Sequence, residues 1–393
     1  FARIYTPAVL VLALAVAALP PLLLGGNALD WIYKALVLLV IACPCALVIS
    51  TPVTLVSGLA AAARQGILIK GGAYLEQGRK LTWLALDKTG TLTHGKPVQT
   101  NFLVLDGSPE ADVRSLAASL ASYSDHPVSR ALADAAARDG VALHSVADFA
   151  ALPGRGTQGR IAGELYSLGN HRLIHEQGRC SAELEALLSA LEEQGKTVIL
   201  LSSERGVRAL FAVADTVKDS SRAAIAELHA LGIRTLMLTG DNGHTAQAIA
   251  TQVGIDEARG DLLPEDKLAA IEAKLNLRAG AVGMVGDGIN DAPALARADI
   301  GFAMGAAGTG TAIETADVAL MDDDLRKLPR FIRLSRRTHA LLVQNIVLAL
   351  GIKAVFLGLT LSGNGTMWMA VFADVGASLL VIANGLRLLR PVP

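Results

Sequence analysis

Apolar residues along this chain follow two different patterns. Near the ends they run almost unbroken, over 7–24, 31–59, 341–361 and 367–388, lengths that match the ~20 residues a helix needs to cross a bilayer. Between 81 and 328 they come as short runs alternating with amphipathic stretches, the pattern of an α/β region. Strands are expected over 83–86, 198–201, 208–213, 235–238 and 281–285, and helices over 113–122, 129–138, 182–193, 221–231, 244–253 and 264–275. The turns of the two terminal hairpins, 25–30 and 362–366, carry no Lys or Arg, whereas Arg64, Lys70, Arg79, Lys80, Arg326, Lys327, Arg330 and Arg333 flank their other ends. The positive-inside rule therefore makes the middle of the chain cytoplasmic and the whole a multi-pass protein of the cell membrane.

Composition supports this picture. Of 393 residues, 52% are hydrophobic and only 18% charged, too apolar for an ordinary soluble enzyme. A net charge of −1 gives no footing for a nucleic-acid partner. Cys43 and Cys45 lie inside an apolar run and Cys180 stands alone, so no disulfide framework is expected.

The candidate chemistry sits at strand ends. Asp87-Lys88-Thr89-Gly90-Thr91 follows the strand expected over 83–86, where a carboxylate before a Gly-bearing turn is placed to act as a covalent nucleophile. Thr239-Gly240-Asp241 follows 235–238, and Gly286-Asp287-Gly288-Ile289-Asn290-Asp291 follows 281–285. In a parallel sheet these turns gather at one edge. Asp87, Asp241, Asp287 and Asp291 would then join the hydroxyls of Thr89 and Thr239 in a cluster suited to Mg2+ and phosphoryl oxygens, with Lys267 supplying positive charge.

In the apolar part, Cys43-Pro44-Cys45 places two thiols beside a proline that opens the helix, a site for a soft metal ion. Lys353 and Asp374 lie deep in the last hairpin, where charge is costly unless it pairs or serves function. Two thiolates and the Asp374 carboxylate around a divalent ion leave one negative charge for Lys353 to balance.

These motifs resemble the signatures of P-type ATPases, whose phosphorylation domain is haloacid-dehalogenase-like. The resemblance covers essentially the whole chain. It implies an aspartyl-phosphate at Asp87, with Lys88, Asn290 and Asp291 in the same catalytic motifs. It also implies Mg2+ held by Asp87, Asp287 and the Thr89 carbonyl, and phosphate contacts from Thr239 and Lys267. Ser124-Asp125-His126-Pro127 resembles the element by which heavy-metal ATPases orient ATP, and Gly154, Gly156, Gly169 and Asn170 match further nucleotide-binding positions. Residues 154–159 also fit G-x-G-x-x-G, but 160–167 reads as a strand where a dinucleotide site needs a helix. Ala121 stands where related domains often carry Glu.

Cys43-Pro44-Cys45 with Lys353 and Asp374 resembles the class exporting Zn2+, Cd2+ and Pb2+, and the Tyr-Asn element of copper pumps is absent. The implied fold is an α/β phosphorylation domain with a parallel sheet and an α+β nucleotide-binding domain, inserted between transmembrane hairpins. The expected domains are 1–80, a hairpin with the metal-site helix; 81–97 with 214–328, phosphorylation; 98–213, nucleotide binding; and 329–393, the last hairpin.

Three rival readings are a copper pump, a membrane-tethered phosphatase and an inactive metal-binding fragment. The phosphatases of the superfamily carry a second Asp two residues after the nucleophile, where this chain has Thr89. No Thr-Gly-Glu loop of an actuator domain occurs, so the chain reads as the C-terminal part of a pump, with the actuator domain and the earlier membrane helices missing.

Overall fold

The computed structural model describes residues 2–24, 27–152, 154–241, 243–305, 310–362 and 365–390. It divides into two units, Lys80–Pro329 and the paired ends Phe1–Arg79 and Arg330–Pro393.

Within Lys80–Pro329 a run of parallel strands is ordered Val318–Leu320, Ile300–Met304, Ala281–Gly286, Leu81–Asp87, Arg234–Leu238, Glu257–Arg259. Leu81–Asp87 is central and almost wholly buried, as an apolar strand covered on both faces should be. Trp83, Ala85, Leu236, Val282 and Met284 pack against Ala270 and Ile271 of the helix Pro264–Asn276 and against Ala294 and Leu295 of Ala292–Arg297.

The second sheet is antiparallel, in the order Thr93–Val104, Gly206–Val217, Thr197–Ser203, Glu164–Gly169, Gly156–Ile161, Ala147–Leu152. Its strands alternate: Ile199 and Leu201 join the core formed with the helices Glu110–Ala121 and Pro127–Arg138, while Val198 and Leu200 join that of Ala182–Glu192. The single strand expected over 160–167 is a hairpin, because Ala162 and Gly163 take φ of 50° and 86° and turn the chain in two residues.

The two sheets share a join. Thr93–Val104 and Gly206–Val217 stay paired from Thr93↔Val217 to Val104↔Ala209, so the expected junctions at 97/98 and 213/214 fall inside two hydrogen-bonded strands.

The other unit holds the helices Ala2–Leu24, Ala28–Ala42, Cys45–Arg64 and Met367–Gly385, and from Arg330 onward the helix Lys327–Leu361. Among the described residues, three spans are long and apolar enough to cross a membrane: Ala28–Arg64, Lys327–Thr360 and Met367–Leu389. Large side chains such as Leu22, Trp368 and Phe372 are exposed, as lipid-facing positions are. Gly25, Gly26, Gly363 and Asn364, in the two expected hairpin turns, lie outside the described residues.

Candidate active site and metal path

Register builds the site. Leu86 pairs with Val285 and Asp87 with Leu238, so the residues following each strand, Lys88, Asp287 and Thr239, leave one edge of the sheet together. Carboxylate oxygens of Asp87, Asp287 and Asp291 lie within 4.8 Å of one another. Lys267, buried on the first turn of Pro264–Asn276, donates to Asp87 Oδ1 at 2.5 Å and to Asp291 Oδ1 at 2.8 Å. Lys88 pairs instead with Asp241, whose backbone N–H donates to Thr239 Oγ1 at 3.1 Å. Thr89 is exposed in the turn after Asp87, and Asn290 is exposed in the short 3-10 turn Ile289–Asp291.

Electrostatics mark the cluster. Burial, then the Asp291 charge, push the Asp87 carboxyl up to about 7 against the pull of Lys267. Burial and Asp291 likewise raise Asp287 to about 6. Burial works against the Lys267 ammonium, but Asp87 and Asp291 outweigh it and raise its pKa. Three hard carboxylates against one contacting lysine form a donor set that fits Mg2+.

Two contributors were not foreseen. Lys218 Nζ donates to the Gly90 carbonyl at 2.6 Å and so braces the turn after Asp87 from the end of Gly206–Val217 that pairs with Thr93. Thr93 Oγ1 bonds the Lys88 carbonyl at 2.9 Å and Asp215 Oδ2 at 2.5 Å. The only signal for them was the charged pair Asp215 and Lys218 closing an apolar strand.

The residues expected to bind nucleotide converge as well. His126, Gly154, Gly156, Gly169 and Asn170 line one cavity of about 380 Å³, with Thr157 and Thr197 among its other walls. His126 caps Pro127–Arg138, its Nδ1 accepting from Val128 N at 3.4 Å. At Gly156 (φ 145°) a Cβ would lie 2.2 Å from the Leu168 carbonyl, so only glycine lets these strands close there. Asn170 donates to the Gly154 carbonyl at 3.0 Å and fastens two walls together. Ala121, at the position where related domains often carry Glu, is fully buried in the core.

In the apolar unit the expected second span is two helices, broken at Cys43 and Pro44. The freed carbonyls of Ile41 and Cys43 both accept from Lys353 Nζ, the former at 3.1 Å, and Lys353 also bonds Asp374 Oδ1 at 3.1 Å. Lys353 is therefore tied to the helix break as well as to Asp374, more than a balancing charge. One expectation is corrected: Cys43 and Cys45, with Cα atoms 5.5 Å apart, are joined in a disulfide. Thiolate ligation by this pair requires the bond to be reduced. A buried polar seam also went unforeseen, in which Asn345 donates to Thr54 Oγ1 and the Val381 carbonyl, each at 3.2 Å, and accepts from Asn384 at 2.8 Å.

An aspartate at the end of a central parallel strand, flanked by a lysine and by two further aspartates that follow the neighbouring strand, defines the haloacid dehalogenase-like hydrolases. The pattern of that family matches residues 81–299, and the chain belongs to it. Over 99% of its length the chain is 47% identical both to a probable cadmium-transporting ATPase of Staphylococcus aureus (strain MRSA252) and to the zinc/cadmium/lead-transporting P-type ATPase of Escherichia coli (strain K12). It covers 54% and 52% of these proteins, so the chain spans about half the length of the curated relatives it matches. A crystal structure of a zinc-transporting PIB-type ATPase in the E2.Pi state matches with a TM-score of 0.90 at 47% identity, over 99% of this chain and 63% of that one. The expected likeness to heavy-metal P-type ATPases thus runs the length of the chain.

Proposed function

We propose that the chain is the catalytic and ion-path part of an ATP-driven exporter of Zn2+, Cd2+ or Pb2+, working through an aspartyl-phosphate on Asp87. The observation that carries the reading is the contact of Asp87 with Lys267 beside Asp287 and Asp291, at the ends of adjacent parallel strands.

In this reading the insert holds ATP against the cavity of His126, Gly154, Gly156, Gly169 and Asn170. An ionised Asp87 oxygen attacks the γ-phosphorus; the new O–P bond forms as the bond to the β-phosphate oxygen breaks, and ADP leaves. Lys267 and Thr239 stabilise the charge on the transferred group, and Lys88 holds Asp241 alongside. Asp87, Asp287 and the Thr89 carbonyl would hold Mg2+, which when bound offsets phosphate charge. Thr89 supplies no carboxylate to activate water, so the acyl-phosphate persists rather than hydrolysing at once. In the membrane, reduced Cys43 and Cys45 with Asp374 would ligate the cargo ion, and Lys353 would orient Asp374 and hold the broken helix.

Incubation with labelled ATP and Mg2+, with and without Zn2+, tests this directly. A hydroxylamine-labile label lost in Asp87→Asn is the expected result; release of free phosphate without such a label indicates a phosphatase and defeats the proposal.

A further inference from the structure

A second constellation is built from none of the residues used so far in the reaction or the ion path. His171, Cys180 and Glu185 bring a ring nitrogen, a thiol sulfur and a carboxylate oxygen within 4.8 Å of one another, with Cys180 Sγ 3.3 Å from His171 Nε2. Cys180 lies between the two helices that present His171 and Glu185, and both helices are capped in place. Asn170 accepts from Leu173 N at 3.1 Å at the start of His171–Glu176, and Ser181 accepts from Leu184 N at 3.2 Å at the start of Ala182–Glu192. Ile174, Leu184 and Leu188 anchor both helices in one apolar core, against which Cys180 itself packs. His171 and Cys180 are partly buried and Glu185 is exposed, so the cluster is shaped from within and reached from solvent.

We infer that His171, Cys180 and Glu185 form a binding site for a soft divalent ion, Zn2+ or Cd2+, on the nucleotide-binding part of the chain and separate from the ion path. One imidazole, one thiolate and one carboxylate are the ligand types a four-coordinate Zn2+ takes when it keeps one position for water. Mg2+ and Ca2+, which take oxygen ligands, are excluded by the same donor set. Binding releases the thiol proton to solvent and forms a metal–sulfur bond, with no change of oxidation state. The scaffold is preorganised because Asn170, which caps the first helix, also holds the Gly154 carbonyl at 3.0 Å.

The chain has three cysteines, so in the full chain carrying Cys43→Ser and Cys45→Ser, Cys180 is the sole thiol. Titration of that protein with Cd2+ should give a saturable thiolate-to-cadmium charge-transfer band at one ion per chain, reversed by competing Zn2+ and untouched by Mg2+. Loss of one outer-shell partner alone weakens a metal site ~10–100-fold, so His171→Gln and Glu185→Gln should each shift the midpoint at least about tenfold. His175→Gln, one turn along the helix, should leave it in place. Because Glu185 is exposed, its substitution reads binding without the risk of unfolding. A missing or non-saturable band, or a midpoint unmoved by His171→Gln and Glu185→Gln, overturns the site.

Discussion

Gly90 and Asp287 occupy adjoining space: a Cβ built on Gly90 would stand 1.6 Å from Asp287 Oδ2. Gly90 also has a φ of 67°, the left-handed region, which costs an L-residue ~1–2 kcal/mol. The turn after Asp87 and the carboxylate arriving from Ala281–Gly286 interlock because position 90 has no side chain.

Gly90→Ala should therefore displace Asp287 and lower the rate of acyl-phosphate formation at least about a hundredfold, ~3 kcal/mol of transition-state stabilisation. Single-turnover labelling checks this. Labelling at the parent rate would mean that Asp287 is free to move, contrary to its packing.

Lys267 contacts two carboxylates with almost no solvent. Removing one partner of a buried ion pair costs ~3–5 kcal/mol because the charge left behind is uncompensated. Lys267→Met should unfold at markedly lower denaturant. Adding Asp291→Asn should restore part of that stability without restoring phosphorylation. If the double variant is no more stable than the single one, charge balance is not what Lys267 supplies to the fold.

Asp256 is a pH-dependent anchor outside the reacting groups. It accepts from Thr235 N at 2.7 Å, Thr235 Oγ1 at 2.8 Å and His229 Nε2 at 3.0 Å. Burial works against the charge, but these bonds outweigh it and lower the carboxyl pKa. A depressed carboxyl stabilises the fold above its unfolded pKa, ~3.9, and that stabilisation is lost as pH falls through the lower folded value. Asp256→Asn should thus cost ~1–2 kcal/mol near neutral pH, and the gap from the parent should close below about pH 4. Denaturation curves across that range measure it; a gap that widens in acid would reverse the sign and refute the assignment.

With the Cys43–Cys45 bond closed, neither sulfur is available as thiolate. Reductant should therefore raise the Cd2+ bound through sulfur, and the increment should vanish in Cys43→Ser and in Cys45→Ser. Asp374→Asn should weaken the ion held there more for Zn2+ than for monovalent copper, since the carboxylate is the harder ligand. Equal loss for both ions in a metal titration would remove Asp374 from the ligand set.

Much of this was legible in the chain. The strands expected over 83–86, 235–238 and 281–285 appear as Leu81–Asp87, Arg234–Leu238 and Ala281–Gly286, because dense apolar runs closed by Asp or Thr-Gly leave little choice of structure. Thr93–Val104 escaped notice: it is little buried, and after Thr93 it runs through His94, Gly95, Lys96 and Pro97, which have neither strand propensity nor alternation. Lys218 and Asn345 were invisible for another reason. Each acts on a residue more than a hundred positions away or across helices, at Gly90 and at Thr54, and such pairings are properties of topology rather than of local pattern. The disulfide was missed because Cys-x-Cys reads equally as two ligands or as one bond, and only the helix break decides how near the sulfurs come.

The shared strands between the two sheets have an engineering consequence. Val98 faces Ala214 and Gln99 faces Val213 as ladder partners, so the segment between them leaves and re-enters its host at points only ~5 Å apart. It is a cassette with adjoining ends: excised, it can be closed or expressed without a long linker, and a related cassette could be grafted in its place. Its tether is double and hydrogen-bonded, so the cassette is held in register with its host by a ladder rather than by a single strand of chain.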